Sequence, residues 1–263
     1  MPLDVERVRR QFPGRAIIWK AATRTTMEEA ARELAAGCAH GAVVGADEQS
    51  AGQGRQGRSW HSEAENGLYV SIVLRPSFRI GEFPAFTLAM GLAAREAIET
   101  ACGVPCDLRW PNDILAGNKK CAGILLQLEG EAAIAGFGIN VNHAAFPAGL
   151  EPTATSLYLE SGRRHSREDL LIGLLRAVDH YCDLMAREGA EPILRLFAQA
   201  SSYTSGRRVV VESEEGTRSG VTAGLDAHGY LLLRQDNGVI TRVVAGGVRP
   251  AAAPERETHA AGT

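Results

Sequence analysis

The chain has 263 residues, 45% hydrophobic and 22% charged, with a formal net charge of −3. That length allows one or two domains with a full core, and the composition excludes intrinsic disorder as the general state. No run approaches the roughly 18 apolar residues of a membrane helix, the N-terminus lacks the apolar stretch of a secretory signal, and the near-neutral balance argues against a dedicated nucleic-acid binder. The expectation is a cytoplasmic protein that engages neither DNA nor a membrane.

In chain order, Thr25-Thr26-Met27-Glu28 has the form of a capping box, and apolar positions at Met27, Ala30, Ala31, Leu34 and Ala35 continue it as a helix closed by Gly37. Residues 42–45 read as a buried strand, followed by a polar, glycine-rich segment from Asp47 to about Gly67. Leu68 to Leu74 is a second buried strand. Phe86 to Cys102 is a helix stopped by Gly103 and Pro105. Residues 107–110 form a short strand leading into a Pro-Asn-Asp turn. Gly123 to Glu129 and Ala132 to Ile139 make a hairpin with Gly130 in its turn. Two helices follow, 167–187 and 191–200. From about Tyr203 four or five short β-rich runs alternate with Gly/Asp turns and predict a small barrel, and the stretch after Pro250 reads as a disordered tail.

The five cysteines are odd in number, and CGVPC (102–106) has the wrong spacing for a CxxC site, so the thiols read as reduced and structural. The basic residues say more. The chain has 25 arginines and only three lysines, yet Lys119 and Lys120 stand together in GNKKCAG. They are either solvated turn residues or mark a position that needs a compact ammonium rather than a planar fork.

Four segments could carry chemistry. In GQGRQGRSW (52–60) the glycines let the backbone approach a ligand, Arg55 and Arg58 offer forked donors to an anion, and Trp60 can cover a flat ring. A mobile surface loop would look similar, and neither a P-loop nor a GxGxxG turn is present. WPND (110–113) reads alone as an Asx turn. In KCAGIL (120–125), Lys120 precedes a strand whose Gly123 leaves room against the backbone. In GFGINVN (136–142), two glycines make a bare wall and Asn140 can read an edge, or the segment is a bulge and turn.

Taken together and in this order, GQGRQGR, WPND, KCAGIL and GINVN resemble the biotin protein ligase family, and the resemblance runs from near residue 25 to near 248. It implies an α+β fold: a mixed β-sheet catalytic domain with flanking helices, like class II aminoacyl-tRNA synthetases and biotin/lipoate ligases, over residues 1–202. A small SH3-like β-barrel over 203–250 and a tail over 251–263 complete it. It implies an ATP-dependent ligase that forms biotinyl-5′-AMP and passes biotin to a lysine of a biotin carboxyl carrier protein, with Mg2+ on the phosphates and a homodimer as one assembly.

Carried over residue by residue, the resemblance makes Lys120, Arg55 and Arg58 catalytic. Thr25, Thr26, Met27, Gln49, Gln53, Gly54, Arg55, Lys120, Gly123 and Gly136 would hold biotin. Arg55, Arg58, Trp60, Lys120, Asn112 and Asn140 would hold ATP. No metal ligand is implied, although Asp113 is a candidate. Gln53 stands where the family loop carries its first arginine, and Met27 where the helix start often carries asparagine. Only about twenty residues precede the motifs, which implies the form without a DNA-binding domain. The other readings are a lipoate or octanoate ligase, which needs an apolar tunnel, and a biotin sensor, which could dispense with Lys120.

Overall fold

Strand alternation divides the side chains of a seven-stranded sheet into one bulky face and one bare face. In the computed structural model, which describes residues 2–76, 80–213 and 216–251, the sheet comprises β1 (Ile17–Thr23), β2 (Val43–Gln49), β3 (Gly67–Leu74), β4 (Asp107–Arg109), β5 (Asp113–Ala116), β6 (Lys119–Glu129) and β7 (Ala132–Asn140). Their spatial order is β1-β2-β3-β7-β6-β5-β4, with β1 and β2 parallel and every other pair antiparallel. Leu68, Val70, Ile72 and Leu74 of β3 and Ala135, Phe137 and Ile139 of β7 point into the main core. There they meet α3 (Phe83–Cys102), α5 (Arg167–Glu188) and α6 (Glu191–Gln199). The alternate positions, Ser71 and Val73 of β3 and Ile134, Gly136 and Gly138 of β7, belong to the other face. There α2 (Thr26–Ala35) packs Met27 and Ala30 on Val73 and Ile134.

The start of α2 departs from a full capping box. Thr25 caps the helix, its hydroxyl accepting from Met27 N at 3.3 Å, but Glu28 pairs with Arg24 rather than reaching back to the cap. α1 (Val5–Gln11), β1, β5 and the short α4 (Leu157–Ser161) were not anticipated from sequence, and Lys119 and Lys120 lie inside β6 rather than in a turn before it.

The C-terminal unit is a five-stranded antiparallel sheet of β8 (Ser205–Ser213), β9 (Gly216–Leu225), β10 (Leu231–Arg234), β11 (Ile240–Val243) and β12 (Gly247–Pro250), in the order β11-β10-β9-β8-β12. Its pairings leave β11 and β12 as edges rather than closing a barrel among the described residues. It docks through Gly229: the Trp110 indole donates to the Gly229 carbonyl at 2.9 Å, and a Cβ at Gly229 would come within 3.1 Å of the Ala85 backbone nitrogen. Of the expected tail, 252–263 lies outside the described residues. Among the described residues no helix is long and apolar enough to cross a membrane.

A buried ion pair ties the two layers together. Arg167, at the first turn of α5, places Nη1 2.9 Å from Asp47 Oδ1 on β2 and donates to the Gly67 carbonyl at 3.2 Å; its side chain is 4% exposed. Removing one member of such a pair strands the other charge, so Arg167→Met should cost about 3–5 kcal/mol in urea unfolding. A loss below about 1 kcal/mol would contradict this role.

Candidate functional site

On the bare face, β6 and β7 bring Gly123 directly opposite Gly138, with Leu125 opposite Gly136. A side chain at any of these glycines has no room. A Cβ at Gly138 would lie 2.5 Å from the Trp60 ring, and one at Gly136 would lie 2.6 Å from Met27 Sδ. Trp60 therefore packs on a floor of backbone, and Lys120 reaches over it, its ammonium 5.1 Å from the ring centroid.

Lys120 reaches that face because the ladder between β5 and β6 is irregular. Ile114 pairs with Ala122, but Leu115 pairs with Lys120, so the Lys120-Cys121 dipeptide opposes a single step of β5. The bulge buries Cys121 in the main core and puts the Lys120 side chain beside Gly123. Residues 153–155 hold this stretch in place: Lys120 N donates to Thr153 O at 2.8 Å, and Thr155 N donates to Lys120 O at 3.0 Å.

The Lys120 ammonium lies 2.5 Å from Asp113 Oδ1, while Arg109 donates to Asp113 Oδ2 through Nη2 at 2.8 Å and Nε at 3.2 Å. Burial works to raise the Asp113 carboxyl, but the ammonium and the guanidinium outweigh it and hold it below the usual carboxylate range. Arg55 is half-buried. Its Nη1 donates to Asn112 Oδ1 at 3.0 Å and to the Gly246 carbonyl of the C-terminal unit at 3.4 Å. Burial pulls its pKa below the ordinary arginine value, with Asp113 opposing. Asn112 is itself fixed to β6, its Nδ2 donating to Ile124 O at 2.7 Å. The glycine-rich loop folds back on itself: Gly54 N donates to Arg58 O at 2.7 Å, and Gln56 takes the left-handed conformation at φ 56°.

Two cavities meet at Lys120. The first, about 450 Å3, is lined by Thr25, Thr26, Met27, Gln49, Gln53, Gly54, Gly123 and Gly136 together with Arg55, Trp60 and Lys120. The second, about 870 Å3, is lined by Arg58, Asn140, Phe146, Gly246 and Gly247, again with Arg55, Trp60, Asn112 and Lys120. Every residue expected beside biotin lines the first, and every residue expected beside ATP lines the second. Arg58 is exposed and reaches only the second.

At the far end of the first cavity a polar chain is buried. Ser71 Oγ donates to Thr26 Oγ1 (2.8 Å), Gln49 Oε1 accepts from Thr26 N (2.8 Å) and Thr26 Oγ1 (3.1 Å), and Gln49 Nε2 donates to Ser62 Oγ (2.9 Å). One N–H of Gln49 and the hydroxyl hydrogen of Thr25 remain free to donate among the described residues. Gly138 is the second of the two glycines expected as a bare wall. Sequence reasoning missed Phe146, Thr153, Ala154, Gly246 and Gly247, which come from loops and a second unit that carry no local signal.

Behind the second cavity, His143 stacks on Phe146 with ring centroids 5.2 Å apart, and burial pulls its imidazole down to about 4. As a metal ligand Asp113 does not fit: among the described residues it is the sole carboxylate lining the second cavity, and both its oxygens are engaged by Lys120 and Arg109.

Residues 20–142 match the biotin/lipoate A/B protein ligase family, and residues 204–248 match the biotin protein ligase C-terminal domain. The chain is 36% identical to the bifunctional ligase/repressor BirA of Bacillus spizizenii, covering 86% of this chain and 71% of that one. It is 33% identical to the biotin–acetyl-CoA-carboxylase ligase of Mycobacterium tuberculosis, covering 94% of each. A biotin protein ligase of Aquifex aeolicus, solved with biotin and ATP, superposes with a TM-score of 0.79 at 29% identity, over 89% of this chain and 97% of that one.

The Asp113 contacts set a pH signature. A carboxyl with a lowered folded pKa contributes stability that is complete above its unfolded pKa, about 3.9, and is lost as pH falls through the folded value. The stability gap between the wild type and Asp113→Asn in urea unfolding should be flat from about pH 8 to about 5 and shrink below about 4. A gap still undiminished near pH 3 would count against the ion cluster.

Proposed function

The chain belongs to the biotin protein ligase family, and from that premise we propose that it joins biotin to ATP as biotinyl-5′-AMP and transfers the biotinyl group to a lysine of a carboxyl carrier domain. The observation that carries this reading is the position of Lys120 and Arg55 on the wall shared by the two cavities.

In the first step a biotin carboxylate oxygen attacks the α-phosphorus. The bond from that phosphorus to the bridging oxygen breaks, pyrophosphate leaves, and a mixed anhydride remains. Two anions must approach one another, and the nearby cations offset their repulsion in a partly desolvated site. An ammonium has three N–H donors, and Asp113 takes one of Lys120's, which leaves two for the carboxylate and the α-phosphate. Arg55 and Arg58 contribute on the nucleotide side. In the second step the deprotonated acceptor amine attacks the acyl carbon and AMP departs. No side chain in the site is assigned as its base, and positioning supplies the rate.

The free N–H of Gln49 and the hydroxyl of Thr25 suit the ureido carbonyl of biotin, and Met27 packs between Gly136 and the bicycle. Such donors leave a steep penalty for a ligand that cannot accept from them. This polar end favours biotin over a linear lipoyl or octanoyl chain. Gln53 offers a neutral donor where the family carries arginine, so binding there rests on hydrogen bonding without charge. Mg2+ arrives with the nucleotide's phosphates, since the site offers it no unengaged carboxylate. The division into a catalytic unit, 1–202, and an SH3-like unit, 203–250, belongs to the same proposal and is supported by the run of short antiparallel strands.

The test is transfer of labelled biotin to a purified carrier domain, with and without Mg-ATP. Wild type should label it only with ATP, and Lys120→Ala should remain folded while losing about 10²–10³ in kcat. Pyrophosphate release with lipoate but not with biotin would overturn the reading. A second expectation concerns Gln49→Ala, which should raise KM for biotin by about tenfold or more and leave KM for ATP within about twofold. Equal rises in both would remove Gln49 from the biotin end.

A further inference from the structure

At the rim of the second cavity, one group of side chains among the described residues has the composition of a metal site and no assigned use. His61 and Glu63 follow the glycine-rich loop, and His143 follows β7. One ring nitrogen of each histidine and a carboxylate oxygen of Glu63 lie within 4.8 Å of one another. His61 is half-buried, Glu63 exposed and His143 wholly buried.

The hydrogen bonds around His143 fix its tautomer. Tyr69 has a single hydroxyl hydrogen, and it goes to the Glu63 backbone carbonyl at 3.0 Å, because a carbonyl can only accept. At His143 Nε2, 3.2 Å away, the Tyr69 oxygen must therefore be the acceptor, and Nε2 carries the ring proton. Nδ1 is left as a bare lone pair, buried and with no partner. An unmatched buried acceptor is costly in a protein interior. An imidazole whose second nitrogen donates to a fixed oxygen is also how metal-ligating histidines are held.

We propose that His61, Glu63 and His143 bind one borderline divalent cation, of which Zn2+ is the best match, with His143 Nδ1 as the buried ligand. Two imidazoles and a carboxylate form a set that suits Zn2+, Co2+ or Ni2+, whereas Mg2+ prefers an all-oxygen shell. Around a tetrahedral ion bound at about 2.0–2.1 Å, neighbouring ligand atoms stand about 3.3 Å apart, so rotations of His61 and Glu63 close the shell. A fourth position remains for water or a substrate oxygen. His61 and Phe146 line the nucleotide-side cavity, so the ion would sit on its rim. It would also join the loop after the glycine-rich segment to the loop after β7, a seam already closed by Asn142 N donating to Asn66 O at 2.6 Å. The site stands on these residues alone and does not depend on the ligase reading.

The full chain, stripped with a chelator and desalted, would be titrated with Zn2+ against a colorimetric competitor, and with Co2+ by visible absorption. The wild type should bind one equivalent of Zn2+, unperturbed by millimolar Mg2+, and give the strong Co2+ bands of a tetrahedral site. Tyr69→Phe keeps the ring and removes the oxygen, and it should weaken binding about 10- to 100-fold. The double variant His61→Asn with Glu63→Gln alters only accessible side chains and should lose the site while unfolding like the wild type. Tight binding that persists in the double variant, displacement of Zn2+ by Mg2+, or a wild type that binds no more Zn2+ than the double variant would each overturn the proposal.

Discussion

The contact between the Lys120 ammonium and the Asp113 carboxylate is the constraint on which the rest of the site depends. A lysine side chain is long and loses much rotamer freedom when fixed, so placing its charge at a chosen point requires a partner. Asp113 is that partner, and its other oxygen is held by Arg109. The cluster carries a net positive charge, which suits a place where anions must gather. Asp113 anchors the cation without cancelling the local charge, because Arg109 shares the same carboxylate and Arg55 and Arg58 line the same cavity.

Around this anchor the sheet does two jobs with one alternation. Ser71 of β3 with Gly136 and Gly138 of β7 leave the functional stretch of one face bare, and the intervening residues fill the core against α3 and α5. A ligand lying on that face rests on backbone rather than on side chains that would have to move aside. The bulge at Lys120-Cys121 breaks the alternation in β6, and it is where a charged side chain leaves the register of its strand.

The candidate site was legible in sequence to the extent that its parts are local. The glycine loop, the WPND turn and the two glycine-bearing strands are contiguous motifs, and residues from each of them line the two cavities. The pairing of Gly123 with Gly138 was not legible, since register depends on a hairpin whose turn is read only to within a residue. The bulge was likewise hidden, so Lys120 was read as preceding its strand. β5 and the 153–155 segment are too short to announce themselves, and they form because β6 offers them an edge. The histidines went unremarked because residues 61 and 143 are adjacent only in space. The C-terminal strands were countable from their turns, but their edge order is a tertiary property.

The hydrogen bond from Arg55 to the Gly246 carbonyl, with Gly246 and Gly247 on the cavity wall, means that the second cavity is completed by residues more than a hundred and eighty positions distant from the loop that they face. A fragment ending before β8 would retain the ammonium, its counter-ion and the glycine floor, and yet it would leave that cavity open to solvent. Under the proposed reaction, water would then compete with the acceptor amine for the acyl carbon, and the small terminal sheet would serve as containment for the anhydride.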